Sequence, residues 1–213
     1  MRSFLSSLAV LFVFGLTSSL HAATITGLNE NFDELSQGLG VTSAGAFATI
    51  NGTNIDVVGD LNGNNEFASL CALPESGNCI DMDGTGGNPI GQLESTSMFA
   101  AGTYDLSFDL IGNQRGSGAE TTVTFGNYDQ TFNLTSADTS GGIVVNALVT
   151  LNTPGYLLFT SDDPGGDQEG NLLDNVVVTQ PNLGVVPEPS SLLLVGSGLV
   201  GLAAMARRRY LPN

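Results

Sequence analysis

Pro187-Glu188-Pro189 is followed by 17 uncharged residues, Ser190 to Ala206, and these run directly into Arg207-Arg208-Arg209. As a helix the uncharged stretch reaches about 25 Å at ~1.5 Å per residue, slightly short of the ~20 residues that cross a hydrocarbon core. It therefore reads as a short transmembrane span. Arginines directly after a span resist translocation, so they are expected on the cytoplasmic side and everything before Pro187 on the far side. At the other end, Arg2 supplies a positive start, Leu5 to Leu16 an apolar run, and Leu20-His21-Ala22-Ala23 a small-residue cleavage region. That pattern predicts a secretory signal peptide over 1–22, cut after Ala22 by a signal peptidase. The two apolar ends are thereby withheld from any folded core. What remains is one domain over 23–180, a linker over 181–186, the C-terminal segment 187–209 with its span at 190–206, and a tail over 210–213.

Removing the two ends changes the meaning of the composition. All five basic residues are arginines, and the exported span 23–186 keeps Arg115 alone against every acidic residue of the 21 except Glu188. Its net charge is about −19, a value that repels nucleic acid and anionic membrane surfaces and keeps the domain in solution. The single histidine, His21, falls in the signal peptide, and lysine is absent. Ser-His-Asp and Cys-His catalysis, histidine-bearing zinc sites and Schiff bases are thus excluded from the exported domain. Carboxylate chemistry is left: glycoside hydrolysis by an Asp/Glu pair, or calcium ligation.

The exported domain reads as β throughout. Tyr104, Leu106, Phe108 and Leu110 alternate with Asp105, Ser107 and Asp109, the period-two signature of a strand with one buried face. Thr121 to Phe125 and Tyr128 to Leu134 flank Gly126-Asn127 as a hairpin, with Val123 and Phe125 expected to face Phe132 and Leu134. Further strands are predicted at Ile143 to Leu151, Tyr156 to Ser161 and Leu172 to Thr179. Turn residues such as Gly141-Gly142 and Pro154-Gly155 bound them. Short strands punctuated every eight to twelve residues predict an all-β, antiparallel two-sheet sandwich of the jelly-roll type. In the last strand, Leu172, Asp174, Val176 and Val178 are expected to share a face, which half-buries Asp174.

Cys71 and Cys79 stand in an exported domain with Pro74 and Gly77 between them to turn the chain, and a disulfide is predicted. Asp81-Met82-Asp83-Gly84 has the flavour of a calcium loop but lacks the closing Glu of an EF-hand, so it reads as a tight turn beside that bridge. Arg115 is expected to pair with a local carboxylate. With no tryptophan, and with Tyr104 read as core, Tyr128 is the best aromatic candidate for a sugar face.

The order Pro-Glu-Pro, apolar span, arginine cluster resembles the PEP-CTERM sorting domain of exopolysaccharide-producing Gram-negative bacteria, carried by Pro187, Glu188, Pro189, Arg207, Arg208 and Arg209. The resemblance implies recognition and cleavage by a membrane-embedded exosortase near the Pro-Glu-Pro. The segments Asn54 to Gly59, Cys79 to Gly84, Gly102 to Leu110 and Leu173 to Val176 look like those of exported PEP-CTERM proteins with a galactose-binding-like or carbohydrate-binding-module-like jelly roll. That second resemblance implies a structural calcium between first and last strands, bringing Glu30, Asn31 or Asp33 near Asp174. No other cofactor is implied.

These readings lead to a secreted, cell-surface or extracellular-matrix protein, non-enzymatic and associated with exopolysaccharide. A carbohydrate-binding module for the cell's own polysaccharide is the first alternative. A carboxylate-type glycosidase is the second, with no catalytic residue nominated by spacing.

Overall fold

The computed structural model describes residues 24–59, 70–71, 77–86, 91–115, 117–138, 143–162 and 167–181, and among these every regular element is a β-strand. The expected signal peptide and the whole C-terminal segment lie outside the described residues. Numbering strands in chain order, the frame is built by β2 (Gly27–Glu30), β8 (Gln92–Ser95), β10 (Gly102–Ile111), β11 (Ala119–Phe125), β12 (Tyr128–Leu134), β13 (Ile143–Leu151), β14 (Leu158–Asp162) and β15 (Leu172–Thr179). One layer runs β2-β15-β10-β13 and the other β8-β14-β11-β12. The first and last strands of the frame are neighbours, and successive strands pass between the layers except at the β11–β12 hairpin. This is the jelly-roll order, as the spacing of short strands and turns predicted.

An excursion between β2 and β8 widens both layers. It comprises β3 (Gly38–Val41), β4 (Ser43–Ala44), β5 (Phe47–Thr49), β6 (Ile55–Gly59) and β7 (Asn78–Asp81). β7, β6 and β3 extend the first layer to seven strands; β5 and β4 extend the second to six. Two short strands, β1 (Thr24–Ile25) and β9 (Met98–Phe99), form a separate parallel pair. Because Gly27 lies opposite Thr179 and Ala100 N–H donates to the Ile25 carbonyl at 3.0 Å, the chain enters and leaves the sandwich at one pole.

The alternation in β10 sends Tyr104, Leu106, Phe108 and Leu110 into the space between the layers, each at most 1% exposed. Seven aromatic side chains, Phe32, Phe47, Phe99, Tyr104, Phe108, Phe125 and Phe159, are fully buried there. Phe99 meets Phe125 edge-on at 4.9 Å between centroids and Phe108 meets Phe159 at 5.3 Å, the preferred geometry of aromatic pairs. Truncating such a ring to alanine costs about 3–5 kcal/mol.

Two expectations are corrected. The two-residue turn at Gly126 (φ 58°) sets Phe125 opposite Tyr128, and counting outward from there puts Val123 opposite Gln130 and Thr121 opposite Phe132. Val123 and Phe125 therefore do not face Phe132 and Leu134. In β15, Ser107 pairs with Val177 but Asp109 pairs with Asp174, so β15 carries one extra residue. Asn175 absorbs it at φ 51°, a β-bulge. The bulge reverses the alternation: Leu173, Val176 and Val178 enter the core, whereas Leu172 and Asp174 turn to the outer face.

That outer face has its own small core of Val58, Leu70, Cys71, Cys79, Ile111 and Leu172, centred on a Cys71–Cys79 disulfide with its Cα atoms 5.7 Å apart. Covered on both faces, β6 and β7 are buried along their full length. Replacing both cysteines by serine is expected to lower unfolding stability by about 2.5 kcal/mol. Urea titration should show that loss, while amide exchange in β10, β11 and β14 stays slow.

Candidate functional site

On the outer face of the seven-stranded layer, β13, β10 and β15 form a shallow groove of about 270 Å³. The register lays two rungs across it: Leu148, Asp105 and Thr179 in one, Asn146, Ser107 and Val177 in the other. Each strand turns these residues outward because its alternate positions fill the core. The groove thus offers a carboxylate, two hydroxyls and an amide beside two aliphatic side chains, a donor and acceptor set matched to a neutral, hydroxyl-rich ligand. A second groove of about 230 Å³ lies at the β11–β12 turn, lined by Asn127, Thr150, Asn152 and Thr153 among others. Of the tyrosines among the described residues, Tyr104 is core, Tyr128 is half-buried against the core with its hydroxyl pKa raised by burial, and Tyr156 is 41% exposed.

The residues expected around calcium are each engaged by backbone. Glu30 sits opposite Val176, two residues from Asp174. Its carboxylate accepts from the N–H of Phe32 at 3.1 Å and of Ala46 at 2.8 Å. The first of these bonds holds Phe32 in a left-handed conformation (φ 59°), a strained geometry for a bulky side chain. Asp33 turns toward β7, accepting from Asn78 N–H at 3.0 Å and from the Asn31 amide at 2.9 Å. Asp174 accepts from Asn175 N–H at 2.7 Å, and the Asn175 amide donates to Asp109 at 2.9 Å. Among the described residues no three His, Cys, Asp or Glu side chains are gathered as a metal site.

Spacing did not reveal the buried carboxylates at the other pole. Asp56 accepts from Gly40 N–H at 2.6 Å, Thr85 N–H at 2.9 Å and the Thr85 hydroxyl at 2.6 Å. Asp83 accepts from Gly91 N–H at 3.1 Å and the Ser161 hydroxyl at 3.0 Å, joining the two layers. Asp81 lies opposite Asp56 and forms an ion pair with Arg115, while its second oxygen accepts from Asp83 N–H at 3.2 Å and Gly170 N–H at 2.8 Å. Asp81-Met82-Asp83-Gly84 is therefore a structural turn, and Arg115 has its carboxylate partner. The one sequence signal for these roles is an aspartate inside an otherwise apolar run.

Residues 185–209 match the PEP-CTERM protein-sorting motif. The chain is thus a jelly-roll β-sandwich that carries the sorting signal of exosortase-processed exported proteins. Comparison with curated protein sequences found no match. Among solved structures the chain is similar to the K3 adhesin domain of Lys-gingipain from Porphyromonas gingivalis W83, at 20% identity and TM-score 0.46, over 72% of this chain and 98% of that one. It is also similar to an α-L-arabinofuranosidase of glycoside hydrolase family 51, at 12% identity and TM-score 0.45, over 70% of this chain and 25% of the hydrolase. The chain spans about a quarter of that enzyme's length. A family 29 carbohydrate-binding module aligns over 73% of this chain and 86% of its own, at 14% identity and TM-score 0.30.

Burial outweighs the Arg115 guanidinium and the two amide donors and lifts the Asp81 pKa from 3.8 to about 7. A folded-state pKa raised in this way means that the native chain binds the extra proton, so Asp81 favours folding below about pH 4 and loses that contribution as pH rises through 7. Asp81→Asn mimics the neutral form. Relative to this variant, the wild type should lose unfolding free energy between about pH 4 and pH 7, levelling off above, in parallel urea titrations.

Proposed function

We propose that this chain is an exported, exosortase-sorted protein of the cell surface or extracellular matrix, acting without catalysis and associating with exopolysaccharide. The observation that carries the reading is the tripartite segment at 185–209, whose Pro-Glu-Pro, apolar span and arginine cluster match a sorting motif. A signal peptidase acting after Ala22 and an exosortase acting near Pro187-Glu188-Pro189 are its processing partners. Strong negative charge favours neutral, hydroxylated polymers over nucleic acid. The groove of Asp105, Ser107, Asn146 and Thr179 favours direct carbohydrate binding as the second reading, because its polar groups converge beside the aliphatic Leu148 and Val177.

Fractionation of the native host with and without its exosortase, read by intact mass, tests the first reading. A chain lacking the Arg207 to Arg209 end, found outside the inner membrane and dependent on exosortase, is expected. Full-length chain in the soluble cytosol would overturn it. For the second reading, pull-down on the host's own polysaccharide should fall several-fold in the double variant Asp105→Ala, Ser107→Ala while Tm is unchanged; equal retention removes the groove from the account.

A further inference from the structure

The seven-stranded layer ends on β13, and this edge differs from the others. The opposite edge of the same layer, β3, has four residues. The corresponding edge of the second layer, β12, carries Asp129. β13 has nine residues, Ile143 to Leu151, without a charge or a proline. Its neighbour across the ladder is β10, and among the described residues no strand pairs its other side. Val144 is 57% exposed and Leu148 67% exposed. Native sheets normally blunt a long edge with charge, proline, a bulge or brevity. Here, in a domain that is acidic almost everywhere else, none of these is present.

The hydrogen bonds specify what the open edge presents. Thr150 N–H donates to Asn127 Oδ1 at 2.7 Å, and the Thr150 carbonyl accepts from Asn127 N–H at 3.1 Å. Thr150 therefore points its backbone groups away from β10, toward the β11–β12 turn, which blocks this end of the edge. Backbone groups two residues apart in an antiparallel strand point the same way. Val144, Asn146 and Leu148 accordingly aim their N–H and C=O groups at the open side, as a row of three.

We propose that this row pairs with the same row of a second copy of the chain, antiparallel, about a two-fold axis through Asn146. The register follows from the blocked end. Asn146 meets Asn146 of the second copy, and Val144 meets Leu148 in both directions, giving about six backbone hydrogen bonds, two for each pair. A shift centred on Ala147 would instead require Thr150, which Asn127 already occupies. In the proposed register each exposed aliphatic side chain is covered by another, and no carboxylate of one β13 meets a carboxylate of its mate. The outward Asp105 and Asp109 of the two copies stand three strand spacings apart, about 14 Å at ~4.8 Å per strand, beyond the ~8 Å screening length at physiological salt. A self-complementary contact of this kind closes as a dimer. It joins the two outer-face grooves across one continuous sheet.

The test uses the full chain, expressed with both terminal segments in an exporting host. Opposed residues of a hydrogen-bonded antiparallel pair have Cα atoms about 5.5 Å apart, inside the ~4.4–6.8 Å range of a disulfide. Asn146→Cys is therefore expected to give a band of twice the mass on a non-reducing gel, and Thr131→Cys, on the exposed face of β12, is not. Adding Leu148→Asp to Asn146→Cys should reduce the cross-linked fraction at least tenfold. Native mass measurement of the unsubstituted chain should show a dimer that Asn146→Pro converts to monomer, since that N–H faces away from β10. A monomeric unsubstituted chain, a cross-link of equal yield at Thr131, or a dimer indifferent to both Leu148→Asp and Asn146→Pro would overturn the proposal.

Discussion

β15 pairs with β10 along one side and, on the other, with β2 through Val176 to Thr179 and with β7 through Leu172 and Leu173. The larger layer is continuous because this one strand bridges the frame of the jelly roll to its widening excursion. β15 is also the last strand among the described residues. During folding, the facing edges of β10, β2 and β7 stay unsatisfied until Leu172 to Thr179 docks between them. Non-local closure of this sort is slow, because the loop entropy is lost before the contacts form. The Asn175 bulge then sets which residues of the closing strand enter the core and which face outward.

The domain manages its charge by giving carboxylates backbone partners. Glu30, Asp33, Asp56, Asp81 and Asp83 each accept from one or more main-chain N–H groups. Buried polar groups need such partners, and a domain with one arginine cannot supply cations for them. The cost of desolvation is visible at Asp81, where a guanidinium and two amides still leave the carboxyl easy to protonate near neutrality. Acidic composition and a well-ordered sandwich are thus compatible, because many of the acids serve as caps.

Local periodicity made the long strands legible. β13 and β15 have the expected bounds, β10 contains the predicted alternation, and the Gly126-Asn127 turn falls where expected, with Gly126 in the left-handed region. The second resemblance covered β6 and β7, which periodicity alone did not delimit. β14 begins at Leu158, two residues after the expected start, since Tyr156 precedes the ladder. The bulge at Asn175 was not legible: it is supported by Asp109, 66 residues away. The same reason hid the roles of Asp56 and Asp83, whose partners Gly40, Thr85, Gly91 and Ser161 come near them only once the layers have assembled. The groove needed the register of three strands before its polar residues converged. The sorting segment, by contrast, is contiguous, and its order could be read directly.

Entry and exit of the chain at one pole, fixed by Gly27 opposite Thr179, give the domain a polarity relative to the sorting segment at 185–209. Five residues separate Pro181 from Pro187, so the six steps between them reach at most about 22 Å at ~3.6 Å per residue. The sorting segment at 185–209 is therefore tethered close to that pole, while the disulfide lies at the opposite one. Exosortase processing of that segment is thus confined to the β2–β15 end of the sandwich.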